Sequence, residues 1–97
     1  MMIQTYTVSS YRKEVNFRYR TSKLPKPKSV VILGTWDNWQ EATPLKYDKV
    51  NNIWQTNKIM NSGQYQYKFL VDNEWKYREE LPYIENANFI VNNVLKV

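Results

Sequence analysis

Residues 64–75 read QYQYKFLVDNEW, and this stretch decides the fold. Its first six positions alternate between polar and aromatic residues, which is the two-residue period of a β-strand with one buried face. The face predicted to be buried carries Tyr65, Tyr67, Phe69 and Val71. Lys68 falls on the opposite, solvent-facing side. Asp72-Asn73 follows as a two-residue hairpin turn, because asparagine tolerates the positive φ angle that such a turn needs.

The same period recurs on both sides of this stretch and predicts an all-β chain. No segment of eleven or more residues shows the apolar spacing of an amphipathic helix. The predicted strands cover residues 15–19, 29–33, 45–47, 53–59, 64–71, 74–77 and 89–97. About seven short antiparallel strands at roughly ten-residue spacing are typical of an immunoglobulin-like β-sandwich. We therefore predict one sandwich domain over residues 14–97, preceded at 1–13 by an N-terminal extension or, at 4–8, an edge strand.

Two residue types that most active sites need are missing from the sequence. The chain of 97 residues has neither cysteine nor histidine, which excludes disulfides, thiolate zinc sites and the most common general base. Glu79, Glu80 and Glu85 fall in one predicted loop, but adjacent glutamates point apart and no nucleophile motif accompanies them. We expect a protein that is not an enzyme and that binds no cofactor.

Several oxygen-bearing side chains in the predicted turns are candidate calcium ligands. They are Asp37, Asn38, Asp48, Asn51 and Asn52. Their spacing is not that of an EF-hand, and turns rich in asparagine account for them equally well. No metal site is predicted.

The chain is basic, with 14 Lys and Arg against 9 Asp and Glu and a net charge of +5. Such a charge suits a polyanion, and exposed aromatic rings can stack on bases, so nucleic acid is one candidate partner. The positive residues are spread along the chain with acidic residues between them, which is the pattern of ordinary solvated strand faces and does not favour nucleic acid. No apolar run approaches the roughly 18–20 residues of a membrane span, and the first residues lack the pattern of a secretory leader. Together with the missing cysteines, this predicts a cytoplasmic location without membrane association.

The four tryptophans divide into two pairs. Trp54 lies inside a predicted strand and Trp36 shares the parity of the apolar strand before it, so both are assigned to the core. Trp39 ends a loop and Trp75 follows the hairpin turn, where a large ring is costly to expose unless it has a partner. A flat ring beside amide and ammonium donors suits a sugar, whose C–H face stacks on the ring while its hydroxyls need directional hydrogen bonds. Trp39 and Trp75 are therefore the candidate binding residues.

Three motifs occur in order along the chain, namely GTWDNW at 34–39, YKFLVDNEW at 67–75 and VNNV at 91–94. With the strand at 15–19, they resemble the glycogen-binding domain of AMP-activated protein kinase β subunits, a family 48 carbohydrate-binding module. The resemblance extends over residues 14–97. It implies a non-catalytic β-sandwich that binds α-1,4-linked glucan such as glycogen, starch or malto-oligosaccharides. It also makes a kinase or a glucan-metabolising enzyme a candidate partner.

The resemblance also implies roles for particular side chains. Trp39 and Trp75 match the aromatic residues that stack on glucose units. Lys68 and Asn92 match the residues that hydrogen-bond the sugar hydroxyls. Asn88 and Ile90 fall where the family has a leucine that inserts into the glucan helix and a threonine, so both depart from the pattern while remaining candidate contacts.

These departures leave a second hypothesis open, in which the chain is a protein-interaction or regulatory domain that keeps the fold but has lost sugar affinity. A smaller departure lies in the hairpin turn, where Asn73 stands in place of the family's usual glycine. The turn is expected to persist, because asparagine is the best substitute for glycine at positive φ.

Overall fold

Two antiparallel sheets pack face to face in the computed structural model, which describes residues 12–21 and 24–97. The strands are β1 (Arg12–Tyr19), β2 (Val30–Gly34), β3 (Thr43–Pro44), β4 (Lys46–Asp48), β5 (Ile53–Asn61), β6 (Gln64–Val71), β7 (Glu74–Lys76), β8 (Tyr83–Glu85) and β9 (Val91–Lys96). A short 3₁₀ helix occupies Thr35–Asp37. The predicted β-sandwich is confirmed, and the edge strand considered for residues 4–8 lies outside the described residues. Within the described part of the chain, no helix is long and apolar enough to cross a membrane.

Strand β6 holds the central position in the larger sheet. That sheet has the order β3-β2-β6-β9-β8, and the smaller sheet has the order β1-β5-β4. β7 pairs with the end of β6 and completes the predicted hairpin. Because β6 is bonded to β2 on one side and to β9 on the other, its register fixes which residues of three strands point toward the core and which point away.

The core lies between the sheets and is built largely from aromatic rings. Its buried members are Phe17, Val30, Ile32, Leu45, Trp54, Met60, Tyr67, Phe69 and Val71. The ring of Phe17, from the smaller sheet, meets that of Tyr67, from the larger sheet, with centroids 5.2 Å apart and planes at 79°. Trp36 packs against the same cluster and lies over Gly34, where any Cβ would overlap its indole ring. Of the two tryptophans assigned to the core, Trp54 belongs to it and Trp36 is partly buried against it.

The C-terminal part of the chain differs from the sequence prediction. Strand β8 is additional, and β9 begins at Val91 rather than at residue 89. All three residues of β8 are exposed, so this strand lacks the alternation that identifies a half-buried one. With the two-residue strand β3, it brings the described residues to nine strands instead of about seven.

Asn93 is a fully buried polar side chain that fixes the segment leading into β8. Its Oδ1 accepts the N–H of Arg78 at 2.8 Å. Its Nδ2 donates to the carbonyl oxygens of Arg78 and Pro82 at 2.9 and 3.1 Å. The Arg78 guanidinium in turn donates to the carbonyl oxygen of Arg18 in β1 at 2.8 Å. One buried amide thus holds this loop against β9, and the loop itself reaches the smaller sheet.

Candidate functional site

The predicted polar site residues lie on the outer face of the larger sheet, which is the face that points away from the core. Lys68 occupies an outward position of β6, next to the buried Tyr67. The register pairs Tyr67 with Asn93 in β9, which sets Asn92 beside Lys68 on the outer face. An ammonium group and an amide are therefore neighbours on adjacent strands.

Trp75 reaches the same face through a tight turn. The hairpin passes through Asp72 and Asn73, whose φ angles are 48° and 67°. Positive φ at both central residues is what a type I′ turn requires, so the predicted turn persists with asparagine in it. The Asp72 carboxylate also accepts the N–H of Ser29 at 2.9 Å, which ties the turn to the residue before β2. Trp75 stands opposite Leu70, with its side chain 52% exposed.

Trp39 is placed by the loop that follows the 3₁₀ helix. Asn38 and Trp39 both adopt left-handed backbone conformations, with φ angles of 60° and 62°. The Trp39 N–H donates to the carbonyl oxygen of Gly34 at 2.8 Å. The Asp37 carboxylate accepts the N–H groups of the two residues after Trp39, each at 3.1 Å. These bonds hold the loop in the shape that brings Trp39 to Trp75.

The indole rings of Trp39 and Trp75 meet edge to face, with centroids 6.4 Å apart. They border a shallow depression of about 410 Å³, which we call the aromatic depression and which is lined by Trp39, Lys68, Trp75, Asn86, Ile90 and Asn92. The structure thus brings together Trp39, Lys68, Trp75, Asn92 and Ile90 of the predicted set. Asn88 is not among the lining residues, and its role stays a prediction.

A turn at residues 86–90 forms the far rim of the aromatic depression. The side-chain Oδ1 of Asn86 accepts the N–H groups of Asn88 and Ile90 at 2.8 and 3.1 Å. The main chain of Asn86 also bonds with Phe89 and Ile90, at 3.0 Å in each case. Asn86 is a lining residue that the sequence analysis missed, although Asn86-Ala87-Asn88 is a turn-forming sequence.

Phe89 is the most exposed aromatic ring in this rim, with 83% of its surface open to solvent. It directly follows Asn88, which is the position of the family's inserting leucine. Its φ angle of 63° lies in the left-handed region. The sequence analysis did not single out Phe89 as a surface residue, because alternation alone treats it as part of the last strand.

Backbone strain in the described residues is concentrated beside the aromatic depression. Non-glycine residues with positive φ are Asn38, Trp39, Asn52, Asp72, Asn73 and Phe89. Asparagine and aspartate accept this conformation readily, whereas bulky side chains do so at a cost of about 1–2 kcal/mol. Trp39 and Phe89 are the two bulky cases. Strained residues cluster at functional sites, so the strain at Trp39 and Phe89 supports the hypothesis that the aromatic depression is one.

The chemistry of the lining is that of a binding surface. Of the described residues that line the aromatic depression, Lys68 alone carries a charge, and none has a carboxylate or a hydroxyl group. The Asn92 Nδ2 donates to the Oε1 of Gln66 at 3.1 Å, which orients the Asn92 amide. Two indole rings, an aliphatic side chain, two amides and one ammonium can stack on a flat ligand and hydrogen-bond its hydroxyls.

The other oxygen-rich positions have local roles in the structure. The Asp48 carboxylate accepts hydrogen bonds from the Asn51 side chain at 2.8 Å and from the Val50 N–H at 2.9 Å. These bonds, led by that from the Asn51 side chain, hold the pKa of Asp48 below its ordinary value. In the loop before β8, Glu80 pairs with Arg78 at 2.5 Å. Within residues 12–21 and 24–97, no group of three or more acidic residues is arranged to hold a metal ion.

Comparison with known proteins identifies relatives of this chain. The model of the glycogen recognition site of AMP-activated protein kinase matches residues 15–97. A regulatory subunit beta-2 of SNF1-related protein kinase from Arabidopsis thaliana is 34% identical over 55 residues, which are 57% of this chain and 18% of that protein. An amyloplastic phosphoglucan phosphatase from Castanea sativa is 33% identical over 78 residues, 79% of this chain and 21% of that protein.

A third relative is named for a different ligand. Cruciform DNA-recognizing protein 1 of Saccharomyces cerevisiae is 31% identical over 87 residues, which are 87% of this chain and 19% of that protein. This chain therefore spans about a fifth of the length of each of these relatives.

Proposed function

This chain belongs to the family of glycogen recognition domains of AMP-activated protein kinase, and from that membership we propose that its aromatic depression holds an α-1,4-linked glucan. Non-catalytic glucan binding is the function that the family supports. The proposal adds the residues: the rings of Trp39 and Trp75 stack on glucose units, while Lys68 and Asn92 hydrogen-bond the hydroxyls. Asn86 and Ile90 border the same ligand.

One observation carries this proposal. Trp39 from a loop and Trp75 from strand β7 meet at 6.4 Å beside an ammonium and an amide, and Trp39 does so in a strained backbone conformation. Neither ring is needed to fill the core, which consists of other residues. Strain and exposure at the same place are explained when a ligand covers the rings.

The expected affinity follows from the contacts available. Covering one ring face removes on the order of 100 Å² from water, which is worth roughly 2–2.5 kcal/mol. Two ring faces and a few hydrogen bonds of about 1 kcal/mol each, less the cost of association, correspond to micromolar to millimolar dissociation constants. Such affinity suffices for a polymer that presents many equivalent sites.

Affinity electrophoresis in gels containing glycogen tests the proposal. We expect retardation of the protein, and we expect the double variant Trp39→Ala/Trp75→Ala to migrate as it does in a gel without glycogen. Val50→Ala is the matched control, because Val50 is 89% exposed in the turn after β4 and outside the aromatic depression. If glycogen leaves the migration of the unsubstituted protein unchanged, the proposal is wrong.

Nucleic acid is a second candidate ligand, which the net charge of +5 and the similarity to a cruciform DNA-recognizing protein favour. A polyanion and a neutral glucan respond differently to salt, since only the polyanion releases counterions on binding. DNA binding would weaken by orders of magnitude between about 50 and 200 mM salt, whereas glucan binding would change little. A fluorescence titration with a four-way junction and with maltoheptaose at both salt concentrations separates the two.

We also propose that the chain works beside a kinase or a glucan-metabolising enzyme. The support is that relatives are a kinase regulatory subunit and a phosphoglucan phosphatase. Affinity purification with and without maltoheptaose distinguishes a partner held through glucan from one that binds the domain directly. The second outcome, in a protein without sugar affinity, would favour the interaction-domain hypothesis. The predicted cytoplasmic location stays a prediction.

A further inference from the structure

A second and larger depression lies on the outer face of the larger sheet, next to the aromatic depression. Its volume is about 680 Å³. We call it the adjoining groove, and its lining includes Gln64, Gln66, Pro82, Ile84, Val94 and Lys96. None of these residues lines the aromatic depression, and none has a role in the proposal above apart from the bond between Gln66 and Asn92.

The strand register shows that the two depressions share one face. Gln66 pairs with Val94 and Gln64 pairs with Lys96 across β6 and β9. Gln64 and Gln66 lie an even number of residues from Lys68 in β6, and Val94 and Lys96 lie an even number from Asn92 in β9. These four side chains therefore project from the same face of the sheet as Lys68 and Asn92. The hydrogen bond from Asn92 to Gln66 lies where the aromatic depression ends and the adjoining groove begins.

The adjoining groove follows β9, with β6 as one wall and strand β8 as the other. Ile84 pairs with Asn92, and the Val94 N–H donates to the carbonyl oxygen of Pro82 at 2.9 Å. The buried amide of Asn93 holds the same Pro82 carbonyl, so this wall is fixed by the sheet. The groove therefore runs along β9 from Asn92 to Lys96, a distance of about 13 Å at 3.3 Å per residue.

The chemistry of the adjoining groove repeats that of the aromatic depression without its exposed indoles. Pro82, Ile84 and Val94 form an apolar floor, and Ile84 is 43% exposed. Amides of Gln64 and Gln66 and the ammonium of Lys96 stand along the edges. The described lining carries no carboxylate. An apolar floor with hydrogen-bonding edges and a single ammonium suits a neutral polyhydroxylated chain better than an anionic one.

We propose that the adjoining groove binds a further segment of the same glucan chain, which passes from the aromatic depression over Asn92 and Gln66 toward Lys96. This inference rests on the proposed function. The continuity of the two depressions, the hydrogen bond between them and the similar mixture of apolar and amide groups select a glucan as the occupant. Affinity then depends on chain length, because a short oligosaccharide fills the aromatic depression alone.

Isothermal titration calorimetry with maltotetraose and maltodecaose tests the inference. In the unsubstituted protein the longer chain is expected to bind about tenfold more tightly, or 1.4 kcal/mol. In the double variant Gln64→Ala/Ile84→Ala this ratio is expected to fall to about twofold while maltotetraose binding is retained, since neither residue lines the aromatic depression. Both positions are exposed, so the variant is expected to keep its melting temperature.

The control variant and the remaining outcomes separate the two proposals. Longer glucans also gain affinity from their greater number of equivalent registers, and the groove variant retains that statistical gain while losing the contacts. Val50→Ala should preserve the full ratio. If the groove variant keeps the same ratio as the unsubstituted protein, or if that protein shows no length dependence, the adjoining groove does not bind glucan. If neither oligosaccharide binds, the proposed function fails and the inference fails with it.

Discussion

The ring of Trp39 stands almost perpendicular to that of Trp75, with an interplanar angle of 82° and centroids 6.4 Å apart. An edge-to-face pair is a favourable arrangement, because the positive edge of one ring meets the negative face of the other. Each ring therefore limits the orientation of its neighbour. The more exposed Trp75 is kept in a defined position although it is 52% open to solvent.

This arrangement predicts that binding depends on a flat ring at residue 75. Trp75→Phe should keep most of the affinity for maltoheptaose, whereas Trp75→Leu should lose about tenfold, because a branched aliphatic side chain cannot cover a sugar face. Calorimetric titration measures both. The melting temperature should change little in either variant, since the side chain is outside the core. Equal affinities for the two variants would contradict stacking at this position.

Of two neighbouring asparagines, Asn93 is predicted to contribute to stability and Asn92 to glucan binding. Asn93→Ala removes the acceptor of the Arg78 N–H and one of the two donors to each of the carbonyl oxygens of Arg78 and Pro82, and it should lower the free energy of unfolding by about 3 kcal/mol. Asn92→Ala should change it by less than about 1 kcal/mol while weakening glucan binding severalfold. Urea denaturation and calorimetric titration of both variants check this. A comparable loss of stability in both would show that Asn92 is structural.

Phe89 is predicted to lower the stability of the protein and to increase its affinity for a long glucan. Phe89→Gly removes the left-handed strain at φ 63°, so the free energy of unfolding should stay the same or rise by up to about 1 kcal/mol. The affinity for a long glucan should fall, because the exposed ring is lost from the rim. Phe89→Ala serves as the matched control, since it removes the ring but keeps the strain. A fall in stability for the glycine variant would contradict the strain.

The buried Tyr67 predicts a stability loss at high pH. Burial is the main cause that raises the pKa of Tyr67 above 10.0, with the Arg78 charge acting in the opposite direction. The unfolded side chain therefore ionises first, so this stability is fully present below pH 10 and is lost as the pH rises toward the folded-state pKa. Tyr67→Phe should flatten that decline in urea denaturation between about pH 9 and 11. Some slope should remain, because the pKa of Tyr19 is also raised by burial.

Local patterns predicted the centre of the larger sheet. Strand β6 was expected at residues 64–71 and is found there, with Tyr67, Phe69 and Val71 buried. Its alternation is visible in the sequence because one face is buried and the other is solvated. The division of the tryptophans into core and surface pairs followed from the same parity and from turn chemistry.

The rim of the site could not be predicted in this way. Strand β8 has no alternation to detect, since its position depends on pairing with β9 and on the buried amide of Asn93. Asn86 reaches the aromatic depression only because a turn reverses the chain between those two strands. Contacts of this kind are set by tertiary structure and leave no periodic trace in the residues themselves.

The two faces of β6 make this domain a suitable scaffold for changing ligand specificity. Residues 65, 67, 69 and 71 hold the sandwich together, whereas residues 64, 66, 68 and 70 project from the opposite side of the same strand. A library of substitutions restricted to those four even-numbered positions would vary the surface offered to a sugar without altering the packing between the sheets. Selection from such a library for other polysaccharides should yield variants that fold as well as the parent.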